Sequence, residues 1–163
     1  MEIPEDLAPV LVPLAWLIGR WEGAGVVGYP TMESVNFGQE LVVSQDGRPF
    51  LRWESRTWLL DDDGAKVRPL ATESGFWRAQ EGGALEVLLA HPTGYVEIYV
   101  GTVDGPRVSL ETDLVARTRT AKEYTSATRL YGLVGGELLW AMDMSAVGQP
   151  LTSHASAQLK RVA

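Results

Sequence analysis

"ALEVLLAHPTGYVEIYVGTVDGPRVSLETDLVA", residues 84–116, reads as three strands joined by two turns. Segments 84–91, 95–103 and 107–116 are rich in Val, Leu, Ile and Tyr, the residue types that suit a pleated, half-buried surface. Between them stand Pro-Thr-Gly (92–94) and Asp-Gly-Pro (104–106). Turn residues in that position signal hairpins. Links this short leave no room for the crossover that parallel pairing requires, so the three strands must be antiparallel neighbours.

The same pattern runs outward in both directions. Upstream lie 20–27, a run over 33–38 that continues into 40–45, then 49–60 after Asp46-Gly47, and 67–80 after the turn at 61–64. Gly82-Gly83 leads into the opening stretch. Downstream come 121–134, a Gly-Gly-Glu turn, 138–147 and 152–162. This makes about ten antiparallel strands with no helix-sized segment among them. A meander of that length closes on itself, because closure removes exposed edges. The expected fold is all-β: a ten-stranded antiparallel up-and-down barrel, one domain over 1–163, with room inside for a small ligand. Residues 7–18 form a short helical lead-in interrupted by Pro9 and Pro13, with Leu7, Val10, Leu11, Leu14 and Leu17 on one apolar face packed against the core. Most of the six tryptophans belong in that core.

Composition narrows the function. Fourteen basic against 21 acidic residues give a net charge of -7, which repels phosphate backbones and argues against nucleic acid as a partner. The chain has no cysteine, so disulfides, thiolate zinc sites, iron–sulfur clusters and covalently attached haem are excluded together. Their absence agrees with a reducing cytoplasm. The opening residues carry acids where a signal peptide needs positive charge, and no apolar run is long enough to span a bilayer. The expected location is therefore cytoplasmic.

Few residues advertise chemistry. There is no nucleophile elbow and no phosphate-cradling loop. The glycines of "GRWEGAG" (19–25) enter a strand and permit a bend or a close approach. Asp61 and Asp62 sit in a turn and read as solvated. Two histidines cannot make a three-histidine zinc site. His91 precedes Pro92, which biases it to extended geometry, and reads as a strand-end residue making local hydrogen bonds. In the last strand, Thr152, His154, Ser156, Gln158 and Lys160 share one face, and Ser153, Ala155, Ala157 and Leu159 the other. Strict alternation puts the second set inward and His154 outward, unless a bulge near the barrel mouth turns it in. The residues alone leave both readings open.

Read together, "GRWEGAG" followed by "VVGYPT" (26–31), "GRPFLRWESRTW" (47–58), "ESGFWR" (73–78), "LAHPTGYVE" (89–97), "ARTRTAKEYT" (116–125) and "MSAVGQPLTSHASAQLKR" (144–161) resemble the nitrobindin family from about Leu7 to Arg161. The resemblance implies a fatty-acid-binding-protein-like, calycin-type barrel holding haem b. It implies that His154, in the terminal Gly-Gln-Pro-Leu-x-x-His segment, is the proximal iron ligand and that Lys122 contacts the haem. It also implies that the protein binds nitric oxide and isomerises peroxynitrite to nitrate, with small molecules as its partners and a homodimer allowed. Two positions depart from many relatives, which have histidine where this chain has Gln45 and Ala71. Any share those histidines take in the distal environment is lost here. Other functions compatible with such a barrel are non-catalytic binding of a fatty acid or other apolar ligand, and carriage or sensing of haem or nitric oxide.

Overall fold

A computed structural model describes residues 3–163. Ten strands follow one another: β1 (Gly19–Tyr29), β2 (Met32–Ser44), β3 (Phe50–Leu60), β4 (Lys66–Ala79), β5 (Ala84–His91), β6 (Tyr95–Asp104), β7 (Arg107–Arg117), β8 (Tyr124–Val134), β9 (Glu137–Ala146) and β10 (Thr152–Arg161). Each pairs antiparallel with its sequence neighbours, and β1 pairs with β10 to close the barrel. The hairpin reading of 84–116 holds, with Ala84 opposite Thr102, though β6 and β7 each run one residue further than expected and Asp104 pairs with Arg107. The strand expected from residue 121 begins only at Tyr124. Residues 118–123 instead lie in the link between β7 and β8.

The lead-in is a 3-10 helix, Pro9–Leu17, rather than a regular α-helix. Pro13 lies inside it and has no N–H to donate, which limits regular α-helical bonding. Leu11, Leu14 and Leu17 are fully buried, and Val10 is half-buried. The segment closes the barrel end where β1 starts and β10 finishes. Trp21 Nε1 donates to Leu17 O at 2.9 Å, and Arg161 from β10 donates to Trp16 O at 2.6 Å. Trp16, Trp21, Trp53 and Trp77 are buried; Trp58 and Trp140 are half-buried. Trp53 and Trp77 stack at 4.4 Å between ring centroids, so two large rings fill the middle of the barrel.

The closing seam depends on glycine. A Cβ on Gly23 would sit 2.1 Å from Gln158 O, and one on Gly25 would sit 2.1 Å from Ser156 O. Both positions demand the close backbone approach that only glycine allows. The opposite end of the barrel, where β1, β3, β5, β7 and β9 finish and β2, β4, β6, β8 and β10 begin, has no such plug among the described residues. It opens into the interior.

Candidate functional site

A cavity of about 640 Å³ occupies the open half of the barrel. One wall, from β1, β2, β9 and β10, is largely apolar and includes Val27, Phe37, Trp140, Met142, Met144 and Ala155. Its floor is a polar chain: Trp140 Nε1 donates to Gln39 Oε1 at 2.8 Å, and Gln39 Nε2 donates to Ser55 Oγ at 2.9 Å.

His154 belongs to this wall. The pairing of β10 with β9 runs Ser153 to Asp143 and then Ala155 to Met142, so the register slips at His154. The bulge breaks strict alternation. Ala155, Ala157 and Leu159 point inward as expected, yet His154 also lines the cavity and is half-buried. Its Nδ1 lies 3.0 Å from Gly28 O. With Nδ1–H donated to that carbonyl, Nε2 keeps its lone pair. Nε2 has no protein partner and is not sealed from its surroundings. Burial pushes the imidazole pKa down, the Gly28 bond opposes this, and the charge of Arg129 lowers it further, so the neutral form is favoured.

Tyr29 fixes the ring from the side, edge-on at 5.8 Å between centroids. Its hydroxyl donates to Met144 O at 2.9 Å and accepts from Ala146 N at 2.8 Å. It thereby ties the end of β1 to β9 across the start of β10.

Lys122 stands exposed on the rim, and its carbonyl accepts from Tyr95 Oη at 2.5 Å. The two positions that depart from many nitrobindins separate. Ala71 lines the cavity, its backbone exchanging hydrogen bonds with Thr57 Oγ1. Gln45 is outside the cavity, just beyond the closed-end terminus of β2, where it donates to Asp6 and accepts from Gly47 N.

The other wall carries a charged network that the sequence reading missed. Arg129 on β8 donates to both oxygens of Glu73 on β4, at 2.8 Å each, and lies 3.5 Å from Glu97 on β6. Its Nε donates to Tyr99 Oη at 3.0 Å and one terminal nitrogen to Tyr131 Oη at 3.2 Å. Tyr99 and Tyr124 both donate to Glu97 Oε2, the former at 2.6 Å. His91 Nε2 is 2.5 Å from Glu97 Oε1. Its hydrogen bonding is therefore local, as expected, but it faces the cavity rather than only ending a strand.

Burial alone would raise the Glu97 carboxyl. The bonds from His91, Tyr124 and Tyr99 and the charge of Arg129 outweigh it and hold the pKa at about 2. Glu73 is likewise raised by burial but lowered overall, chiefly by the charge and hydrogen bonds of Arg129. Burial pushes the Tyr131 phenol up to about 12 and those of Tyr99 and Tyr124 higher still. The only trace in the sequence is Tyr95, Glu97 and Tyr99 alternating with Val96, Ile98 and Val100. An apolar-inward rule assigns the wrong face, because here the polar set points in and Val96 is 53% exposed.

Among the described residues, no three His, Asp or Glu side chains converge in the manner of a metal-ion site. A metal held here would need ligands of its own apart from one imidazole. A planar iron macrocycle meets that condition: it needs one neutral axial nitrogen, apolar walls and a cation at the rim. His154, the β9–β10 wall and Lys122 fit it.

The model of the "THAP4-like, heme-binding beta-barrel domain" matches residues 10–161. A "ferric nitrobindin-like protein" of Kineococcus radiotolerans is 53% identical, covering 96% of each chain. A "peroxynitrite isomerase" of a Nocardioides species is 50% identical, covering 98% of each. The crystal structure of Rv2717c from M. tuberculosis superposes with a TM-score of 0.88 at 39% identity, covering 97% of this chain and all of that one.

Proposed function

The chain belongs to the family of THAP4-like haem-binding β-barrel domains, and on that premise we propose that it holds haem b through His154 and isomerises peroxynitrite to nitrate, with nitric oxide binding at the same open position. The observation that carries this reading is the bulge at His154. It turns into the cavity a neutral imidazole whose Nδ1 is committed to Gly28 O and whose Nε2 is unpartnered.

When bound, ferric haem would supply a Lewis-acidic iron for the peroxy anion. The chain's own residues do the rest. His154 would hold it through Nε2, and Gly28 and Tyr29 fix the tautomer and tilt of that ring. The β9–β10 wall excludes water through Met142, Met144 and Ala155. Lys122 offsets carboxylate charge at the mouth of an otherwise acidic protein. Nothing in this scheme needs oxidising surroundings, which suits a cysteine-free chain in the cytoplasm.

A simple fatty-acid carrier is less well supported. Among the described residues, the one buried arginine that could anchor a carboxylate, Arg129, already faces Glu73 and Glu97.

The test is a haem titration followed by absorbance. The wild-type protein should develop a Soret band at one equivalent and raise the nitrate yield from peroxynitrite. His154→Ala should bind haem more weakly by more than the roughly 10–100-fold that loss of an outer-shell partner costs. Wild-type affinity in that variant would show that His154 is not the ligand.

A further inference from the structure

The charged wall has no part in the reading above. In a closed ring of ten strands, β5 and β10 are five strands apart in either direction. His91, the last residue of β5, and His154 therefore enter the cavity from opposite sides.

Almost every polar atom of that wall is already committed. Arg129 spends its donors on Glu73, Tyr99, Tyr131 and Glu97. The hydroxyls of Tyr99 and Tyr124 are given to Glu97, and that of Tyr95 to the Lys122 carbonyl. His91 uses Nε2 on Glu97 Oε1. Its Nδ1 has no protein partner and is not sealed off, so His91 is the one member of the network whose second ring nitrogen is free to carry a charge and donate into the cavity.

Charge completes the argument. Glu73 from β4 and Glu97 from β6 face one guanidinium, Arg129 from β8. With His91 neutral, these groups carry a net charge of one minus two, or -1. With His91 protonated they balance. The rim residues Lys122 and Glu123 are exposed, and their side chains make no bond to this network.

We propose that His91, protonated and held by Glu97, is the residue that positions small anions in the cavity. It donates from Nδ1 to an anion bound on the side away from His154 and removes the negative charge that would repel it. The inference rests on the haem-binding reading and adds to it a selectivity for anions over neutral ligands that weakens as pH rises.

The experiment compares wild type with His91→Gln, whose amide still donates to Glu97 but carries no charge. Azide affinity of the ferric, haem-loaded proteins is read from the Soret shift at pH 5.5 and 8. Carbon monoxide affinity of the ferrous proteins serves as the neutral reference. At pH 5.5 the variant should bind azide roughly tenfold more weakly, the scale set by one nearby unit charge in a partly shielded site. At pH 8 the difference should be smaller, and carbon monoxide affinity should agree within about twofold throughout. Imidazole nitrogen NMR of the haem-free wild type should show the His91 ring protonated at pH 5.5.

Equal azide affinities with parallel pH profiles would overturn the proposal, as would a His91 ring that stays neutral at pH 5.5. A wild type that takes up no haem overturns the haem reading and this inference with it. A loaded protein with unchanged anion selectivity overturns this inference alone.

Discussion

Glu97 and Arg129 make the residue-scale energetics testable. The Glu97 carboxyl titrates at about 2 in the fold against an ordinary 4.5. A carboxyl depressed by folding contributes stability above its unfolded value and loses it as pH falls towards the folded one. His154, held below its ordinary 6.5, acts in the same direction from that pH downward. The urea midpoint should therefore decline on acidification, most steeply between about pH 4.5 and 2. Glu97→Gln should begin less stable and show a shallower decline over that interval. Arg129→Ala takes the guanidinium from Glu73 and Glu97 and should cost about 3–5 kcal/mol in urea denaturation. Tyr29→Phe removes the partner of Ala146 N and should cost about 1–3 kcal/mol while disturbing the seat of His154. Individual residues were the least legible part of the sequence. Family resemblance marked His154, but its inward turn depends on a bulge that alternation cannot foresee. Glu73, Glu97 and Arg129 are far apart in the chain, and only barrel closure brings them together.

Strands and turns, by contrast, could be read almost directly. Short Gly- and Pro-containing links impose antiparallel neighbours whatever the side chains do, which is why the β5–β6–β7 pairing agrees with expectation. The direction a strand faces was harder. In β10 the apolar set is inside, whereas β6 turns Glu97 and Tyr99 inward and leaves Val96 and Val100 on the outer surface. A ligand-sized interior reverses the usual hydrophobic sorting along β6, on the wall that carries the charged network, and leaves it intact on the β9–β10 side. The seam offers a sharper test of element packing. Gly25→Val would drive a side chain into Ser156 O and Ala157, so it should spread β1 from β10. The loss in urea denaturation should exceed the roughly 0.5–1 kcal/mol of an ordinary glycine effect, and haem uptake should fall with it.

At the scale of the molecule, closure defines the two ends: a tryptophan- and leucine-packed end under the 3-10 helix, and a mouth that admits ligand. Far-UV circular dichroism should be dominated by β signal, and a helical content of about a third or more would contradict the barrel. The hydrogen bond from His154 to Gly28 crosses the seam and joins residues 126 positions apart. During synthesis, chain emerges at about 5–20 residues per second, so β1 waits several seconds for β10. Until then Gly28 O has no imidazole to hold and the cavity lacks one strand of its apolar wall. On the proposed ligation by His154, haem capture follows the docking of that strand and does not template folding. It becomes a report that the last strand has docked, and a nascent chain stalled before Thr152 should pass through the cell without competing for the cofactor.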